Sequence, residues 1–260
     1  MIRALSTAAT GLEAQQANIE RISNDLANVN TDAYKKSRTE FQDLMYETQK
    51  EAGGSLGANT QTSVGIQNGT GVKVGANYKI FEQGPAHPTN HDYDLMIEGK
   101  GFFPIQLPNG EVAYTRAGNF HLDSQGRVVT SNGGMLLPQI TVPITATKID
   151  VTPAGQVSAQ LQNGTQTVLG QLQLVTFPNE QGLSSAGANL YKPTIGSGAP
   201  VQSLPGENGV GALAQGMLEG SNVDVARSMV DMITTQRAYE MGTKVMGVAD
   251  QMWSATANIK

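Results

Sequence analysis

Residues 3–28, RALSTAATGLEAQQANIERISNDLAN, and residues 222–258, NVDVARSMVDMITTQRAYEMGTKVMGVADQMWSATAN, decide the fold. In the first stretch Leu5, Ala8, Leu12, Ile19, Ile22, Leu26 and Val29 recur on alternating steps of three and four, with Gln15 as the polar interruption. That spacing is a heptad and predicts a helix with a narrow apolar seam. Arg3, Glu13, Glu20 and Arg21 fall off the seam. The second stretch carries Val223, Ala226, Val230 and Ile233 through its first half. Ala238, Met241, Val245, Val248, Met252, Ala255 and Ile259 then continue as an unbroken heptad. Ser221-Asn-Val-Asp224 has capping-box spacing and places the helix start near Asn222. At 1.5 Å per residue the helices would be ~39 Å and ~55 Å long. Seams left in water would be exposed apolar strips, so either the two termini pair with each other or they pair with neighbouring copies. A heptad specifies helix pairing but not stoichiometry. A monomeric binding module on a two-helix stalk and a helical polymerisation core both satisfy it.

Between the helices the period changes. Asn28-Val-Asn-Thr-Asp32 supplies stop and turn residues. Residues 38–50 are expected to continue as a short helix with Phe41, Leu44 and Met45 on one side. Residues 52–71 are rich in Gly, Thr, Gln, Asn and Ser and are expected as a flexible or extended loop. From about Val72 to Leu204 the period is two, with Leu172, Leu174 and Thr176 alternating with Gln171, Gln173 and Val175. Pro108-Asn-Gly110, Asp123-Ser-Gln-Gly126, Pro153-Ala-Gly155 and Gln162-Asn-Gly164 punctuate short strands as hairpin turns. Residues 196–211 are Gly- and Pro-rich and are expected as a return linker. The fold class is therefore α+β: long terminal helices forming a coiled-coil-type core, and a central antiparallel all-β domain. The expected segments are 1–37, helix and turn; 38–71, extended; 72–205, β domain; and 206–260, linker and helix.

Composition removes several functions. The chain has 260 residues with 17 Lys+Arg against 22 Asp+Glu, and charged residues make up 15%. Polarity comes instead from 21 Gln and 17 Asn. A mildly acidic chain without a basic run does not neutralise phosphates, so no nucleic acid is expected as a partner. There is no cysteine, which excludes disulfides, thiolate metal sites and cysteine nucleophiles. No apolar run approaches the ~20 residues of a membrane span, so no membrane insertion is expected. The N-terminus has no continuous apolar stretch of the Sec type, so export would proceed without a cleavable signal.

The candidate chemistry is thin. Gly53-Gly54-Ser55-Leu56-Gly57 matches a nucleophile elbow, but Thr48–Ala52 is not an apolar strand and Ala58–Thr62 is not a helix, so a serine hydrolase is not supported. His87-Pro-Thr-Asn-His91-Asp-Tyr-Asp94 gathers two imidazoles and two carboxylates. Pro88 argues against the helix that would put both rings on one face, so a polar loop is expected rather than a metal site. His121 reads as an outward strand residue. Gly99-Lys-Gly101 lacks the context of a phosphate loop, and Asn68-Gly-Thr70 and Asn163-Gly-Thr165 are common glycosylation triplets. No catalytic residue, cofactor or metal is expected.

Residues 6–44, STAATGLEAQQANIERISNDLANVNTDAYKKSRTEFQDL, resemble the N-terminal signature of bacterial flagellar rod and hook proteins. The resemblance centres on Asn24, Leu26, Ala27, Asn28, Thr31, Tyr34 and Lys35. Residues 221–240 resemble the same family's C-terminal signature, with Gln236, Arg237, Ala238, Tyr239 and Glu240 as its core. Residues 99–130 are similar to the hairpin region of its rod members. Length and segment order are most similar to the distal-rod members, with proximal rod and hook subunits as relatives of the same class. The resemblance implies a structural subunit, not an enzyme. It implies a helical homopolymer that transmits torque to the hook, with the helices as its inner coiled-coil layer. Residues from about Tyr46 to Gly71 match the position of a rod-specific insertion that keeps the rod stiff. Implied partners are other copies, proximal rod proteins, the hook protein, P-ring and L-ring proteins and the flagellar type III export apparatus. The implied location is the basal body, from the periplasm to the outer membrane. Asp25 stands where the family usually has Asn, and Ala33 where it usually has Gly. If that turn needs positive φ, alanine is strained there.

Overall fold

The structure is a computed structural model describing residues 2–50, 55–57, 60–61 and 64–257. It contains two compact units. The first comprises Met1–Leu26, Ser37–Tyr78 and Asp224–Lys260; the second comprises Ala27–Lys36 and Lys79–Val223. The secondary structure is two long terminal helices with antiparallel strands between them. Among the described residues no helix is long and apolar enough to cross a membrane.

In the first unit α1 spans Ile2–Ala27 and α2 spans Val225–Ala257. The start of α2 lies later than the capping box suggests. Asp224 is the cap: its Oδ1 accepts the Arg227 N–H at 3.2 Å and its carbonyl accepts the Ser228 N–H at 2.9 Å. Residues 38–50 are not helical. Ser37–Asp43 pairs with Val72–Lys79, and Glu47–Lys50 pairs antiparallel with Ile66–Asn68. The three-and-four spacing of Phe41, Leu44 and Met45 covers barely one turn, too short for periodicity to outweigh pairing with a strand partner. Gly71 shows how closely this ribbon meets α1. Its φ is +123°, and a Cβ there would lie 2.2 Å from Thr10 Oγ1, so only glycine fits.

The second unit is built from hairpins. Phe103–Gln106 turns into Val112–Thr115, Phe120–Leu122 into Val128–Thr130, Ala146–Val151 into Gln156–Leu161, and that strand into Gln166–Gln171. All four turns fall at the Gly-containing stretches expected from the sequence, with Gly110 and Gly126 at φ +85° and +76°. One core cluster packs Leu95, Ile97, Phe103, Ile105 and Phe120 with Leu172 and Leu174. A second packs Phe102, Tyr114, Phe177 and Tyr191 around Val175. The alternation at 171–176 therefore misplaces Val175, which is fully buried. The segment has clusters on both faces, so neither set of alternating residues is left outward. Nor are residues 196–211 a linker, and strands continue beyond them. Val201–Ser203 pairs with Leu174–Thr176, Ala212–Gln215 with Leu95–Glu98, and Met217–Glu219 with Ala86–Pro88. The glycines in this stretch serve turns between short strands.

Candidate assembly surface

The two helices run antiparallel within the first unit. Asn18 Nδ2 donates to Thr235 Oγ1 at 3.2 Å, and Leu12 packs on Gly242, where a Cβ would sit 2.7 Å from its Cδ2. The face of α2 turned inward is Ser228, Met232, Thr235, Tyr239, Gly242, Met246 and Ala249, all half-buried or buried. These residues also step by four and three, so α2 carries two heptads. The seam identified from the sequence is the other one. Val230, Ile233, Met241, Val245, Val248 and Met252 are 50–61% exposed. At 100° per residue this stripe lies about 140° round the helix from the inward face. Beside Ala4 of α1, the side chains of Val245, Val248, Ala249 and Met252 line an open apolar cleft of about 370 Å³. The seam residues of α1 are placed differently: Ile22 is buried, while Leu5, Leu12, Ile19 and Leu26 are half-buried. Ile259 lies outside the described residues. Pairing within the chain thus uses a face on which Ser228, Thr235 and Gly242 alternate with Met232, Tyr239 and Met246, and leaves the apolar stripe half or more exposed.

The end of α1 is fastened by charge. Asp25 is buried, accepts the Ser37 N–H at 3.1 Å and pairs with Arg21 at 2.9 Å. In the second unit the chain turns at Asn28–Lys36, with the Thr31 N–H on the Asn28 carbonyl and the Tyr34 N–H on the Thr31 carbonyl. Ala33 has φ +55°, the left-handed conformation that costs an alanine about 1–2 kcal/mol. Its N–H donates to the Glu219 carbonyl at 2.7 Å, which holds it there. Ala33→Gly relieves this strain but adds unfolded-chain entropy, leaving a gain of about 0.5–1 kcal/mol. Urea unfolding of the two proteins checks the sign. Tyr34 lies under Lys79 Nζ, 4.1 Å from its ring centre.

The turn also delivers Lys35 to a buried charge cluster. Lys35 Nζ lies 2.6 Å from Glu219 Oε1, and Arg116 Nε lies 2.9 Å from Glu219 Oε2. All three side chains are 0–1% exposed. The Gly84 N–H also donates to Glu219 Oε1 at 2.9 Å. The surplus positive charge is spread onto carbonyls: Glu82 accepts from Lys35, and Gly99 and Gly101 accept from Arg116. Burial, then the neighbouring Arg116, lower the Lys35 pKa. Burial raises that of Glu219, but Arg116 and Lys35 outweigh it and the net shift is downward. Only Lys35 of the three was singled out by the sequence. A lone charge inside an apolar strand run, Glu219 in Met217–Glu219, was the available signal for the rest.

The remaining candidates go to ordinary places. His91 Nδ1 lies 3.5 Å from Asp94 Oδ1, His87 is an exposed strand residue packed on Gly220, and His121 is an exposed strand residue. Gly53 and Gly54 lie outside the described residues, and Ser55 opens a short strand, Ser55–Gly57, paired with Thr60–Gln61. Of the signature residues, Asn28 Oδ1 is 3.2 Å from Thr31 Oγ1, and Ala27 and Asn24 are exposed. Gln236, Arg237 and Glu240 are exposed on α2, whereas Ala238 and Tyr239 are half-buried.

Three family models cover these elements. That of the flagella basal body rod protein matches residues 5–35, the flagellar hook protein FlgE/F/G D1 domain matches 96–159, and the flagellar basal body rod FlgEFG protein C-terminal matches 214–259. The flagellar basal-body rod protein FlgG of Caulobacter vibrioides is 47% identical over 261 residues, 100% of both chains. The chain belongs to the flagellar basal-body rod and hook family. Further rod relatives are FlgG of Buchnera aphidicola from Acyrthosiphon pisum, 47% identical over 97% of each chain, and FlgG of Bacillus subtilis, 36% identical over 100% of each. The rod family is one of structural proteins, not enzymes. Its N-terminal model covers α1 and the turn through Lys35, and its C-terminal model covers Glu219 and α2. The rod-family matches therefore take in Lys35, Arg116 and Glu219 alike.

Proposed function

We propose that the chain is a structural subunit of the distal rod of the bacterial flagellar basal body, polymerising into a helical tube that transmits torque to the hook. The observation that carries this is the exposed apolar heptad on α2, in a chain with 47% identity over its whole length to a basal-body rod protein. A helix already paired through its other face leaves half or more of that stripe exposed within the chain. Burying it against further copies makes contacts that need not close, which yields a filament. The terminal helices then form the coiled-coil core of the tube. Residues from about 46 to 71 are its stiffening segment. The proposed neighbours are proximal rod proteins, the hook protein, the P- and L-ring proteins and the type III export apparatus, and the rod spans from the periplasm to the outer membrane.

Electron microscopy of basal bodies from a strain lacking the gene tests the assignment. Particles with a shortened rod and no hook, restored by the gene, are the expected result. Complete basal bodies with hooks, in a genome holding no second copy, would sink it.

A further inference from the structure

The segment that leaves α1 and the segment that enters α2 meet on one residue. Ala27–Lys36 contains no helix beyond its first residue and no strand. It is held in the second unit by a few bonds, several of them to residues 219–222. The Ala33 N–H donates to the Glu219 carbonyl at 2.7 Å, and the Lys36 N–H to Asn222 Oδ1 at 2.7 Å. The Asn222 N–H returns to the Tyr34 carbonyl at 3.3 Å, and Lys35 Nζ lies on the Glu219 carboxylate. Residues 79–84 complete the group. The Ile80 N–H donates to the Lys36 carbonyl at 2.9 Å, the Gly220 N–H to the Pro85 carbonyl at 2.7 Å, and Asn222 Nδ2 to the Ile80 carbonyl at 2.9 Å. Gly84 is pressed against Gly220, where a Cβ would lie 2.0 Å from the carbonyl oxygen.

We propose that Glu219 is a shared latch: its carboxylate holds the exit of α1 and the entry of α2 in the β unit as one cooperative element, so both helices keep or lose that tether together. This deepens the rod reading, on which the importance of the helices rests. The charge count gives the latch a direction. Two buried cations face one buried carboxylate, so removing the carboxylate leaves two like charges without a counter-charge. Removing Lys35 instead leaves a balanced Arg116–Glu219 pair that keeps its carbonyl partners. Because Lys35 belongs to one segment, Glu219 to the other and Arg116 to a core strand's end, the uncompensated charge loosens both segments at once. The strands around Phe103 and Tyr114 have their own ladder and apolar core, so they open after these segments.

Residue-resolved hydrogen exchange on the unassembled full-length chain tests this. Glu219→Gln is expected to speed exchange of Ala33, Lys36, Ile80, Gly84, Gly220 and Asn222 about tenfold or more, together. Residues 103–106 and 112–115, which exchange only when the whole unit opens, should remain better protected than these amides. Lys35→Met, which cuts the carboxylate's bond to the α1 exit but leaves no like-charge pair, should speed the same amides by a clearly smaller factor than Glu219→Gln. Equal damage by the two substitutions, or opening of one segment without the other, overturns the latch. If Glu219→Gln does not fold, wild-type exchange in rising sub-denaturing urea decides the matter. One opening curve shared by both segments supports the proposal, and two separate curves overturn it. The measurement is made on the unassembled chain, so the latch can fail while the rod assignment stands. A failed rod assignment would equally leave these exchange results intact.

Discussion

Val245→Asp is expected to leave the monomer's stability within about 1 kcal/mol of wild type, because Val245 is 57% exposed on an open cleft beside Ala4. In the same protein, assembly should fail. A carboxylate carried into a packed helical seam loses its hydration without gaining a counter-charge, at a cost of several kcal/mol per copy. In a filament that penalty recurs at every subunit. The expected phenotype is a non-motile strain with a normally folded, soluble subunit, read by swimming in soft agar and by urea unfolding of the purified protein. Leu12→Asp is a less clean companion. Leu12 packs on Gly242 inside the chain, so its aspartate also loosens the α1–α2 pair and should lower monomer stability as well as block assembly. A motile strain carrying Val245→Asp would remove the exposed heptad from the interface and with it the main structural support for polymerisation through α2.

How much of this was legible in the sequence differs by element. The helices and the four hairpins were, since each rests on local signals: a heptad sustained over several turns, or Gly at a turn between period-two runs. The segment 38–50 was not. Three apolar residues at helical spacing cannot be told from a strand whose partner, Val72–Lys79, lies some thirty residues on and is visible only in three dimensions. The apolar heptad of α2 is plain in the sequence, but the direction in which it faces is not. What decides it is the second, inward heptad, in which Ser228, Thr235, Gly242 and Ala249 alternate with Met232, Tyr239 and Met246. The small residues let α1 approach closely, as at Leu12 on Gly242, and the aliphatic stripe is left the more exposed. The buried cluster was the least legible. Lys35 and Arg116 lie 184 and 103 residues from Glu219 along the chain, and no local pattern links them. Alanine at position 33 is the case where the sequence posed the right question. The turn does use positive φ, and the bond from Ala33 to the Glu219 carbonyl holds the strained conformation.

The stability of the second unit should be asymmetric in pH, and the three groups clustered there set its limits. Glu219 has its pKa held below the ordinary 4.5, because Arg116 and Lys35 together outweigh the cost of burial. As pH falls below that value the unfolded chain takes up the proton first, so stability drops through the folded pKa. Protonation of Glu219 leaves Lys35 and Arg116 as an uncompensated pair, which is the physical cause of this acid limb. Lys35 behaves in the opposite sense. Its pKa is lowered from 10.5, by burial first and Arg116 second, so on the way up to 10.5 the unfolded chain holds more protons and stability rises with pH. Tyr191, buried beside them, ends that rise. Burial pushes its pKa from 10.0 up to about 12, so above 10 the unfolded chain ionises first and stability falls. Urea unfolding across the pH range should therefore show loss below about 4.5, a gain on the alkaline side and a second loss beginning near 10. Glu219→Gln flattens the acid limb from an already lowered plateau, the loss of a buried counter-charge costing about 3–5 kcal/mol. Lys35→Met removes the alkaline gain, and Tyr191→Phe reduces the loss above 10, leaving the part due to Tyr114 and Tyr93, whose pKa values burial also raises. An acid limb unchanged in Glu219→Gln would mean that other carboxylates govern acid unfolding and that the buried cluster is electrostatically inert.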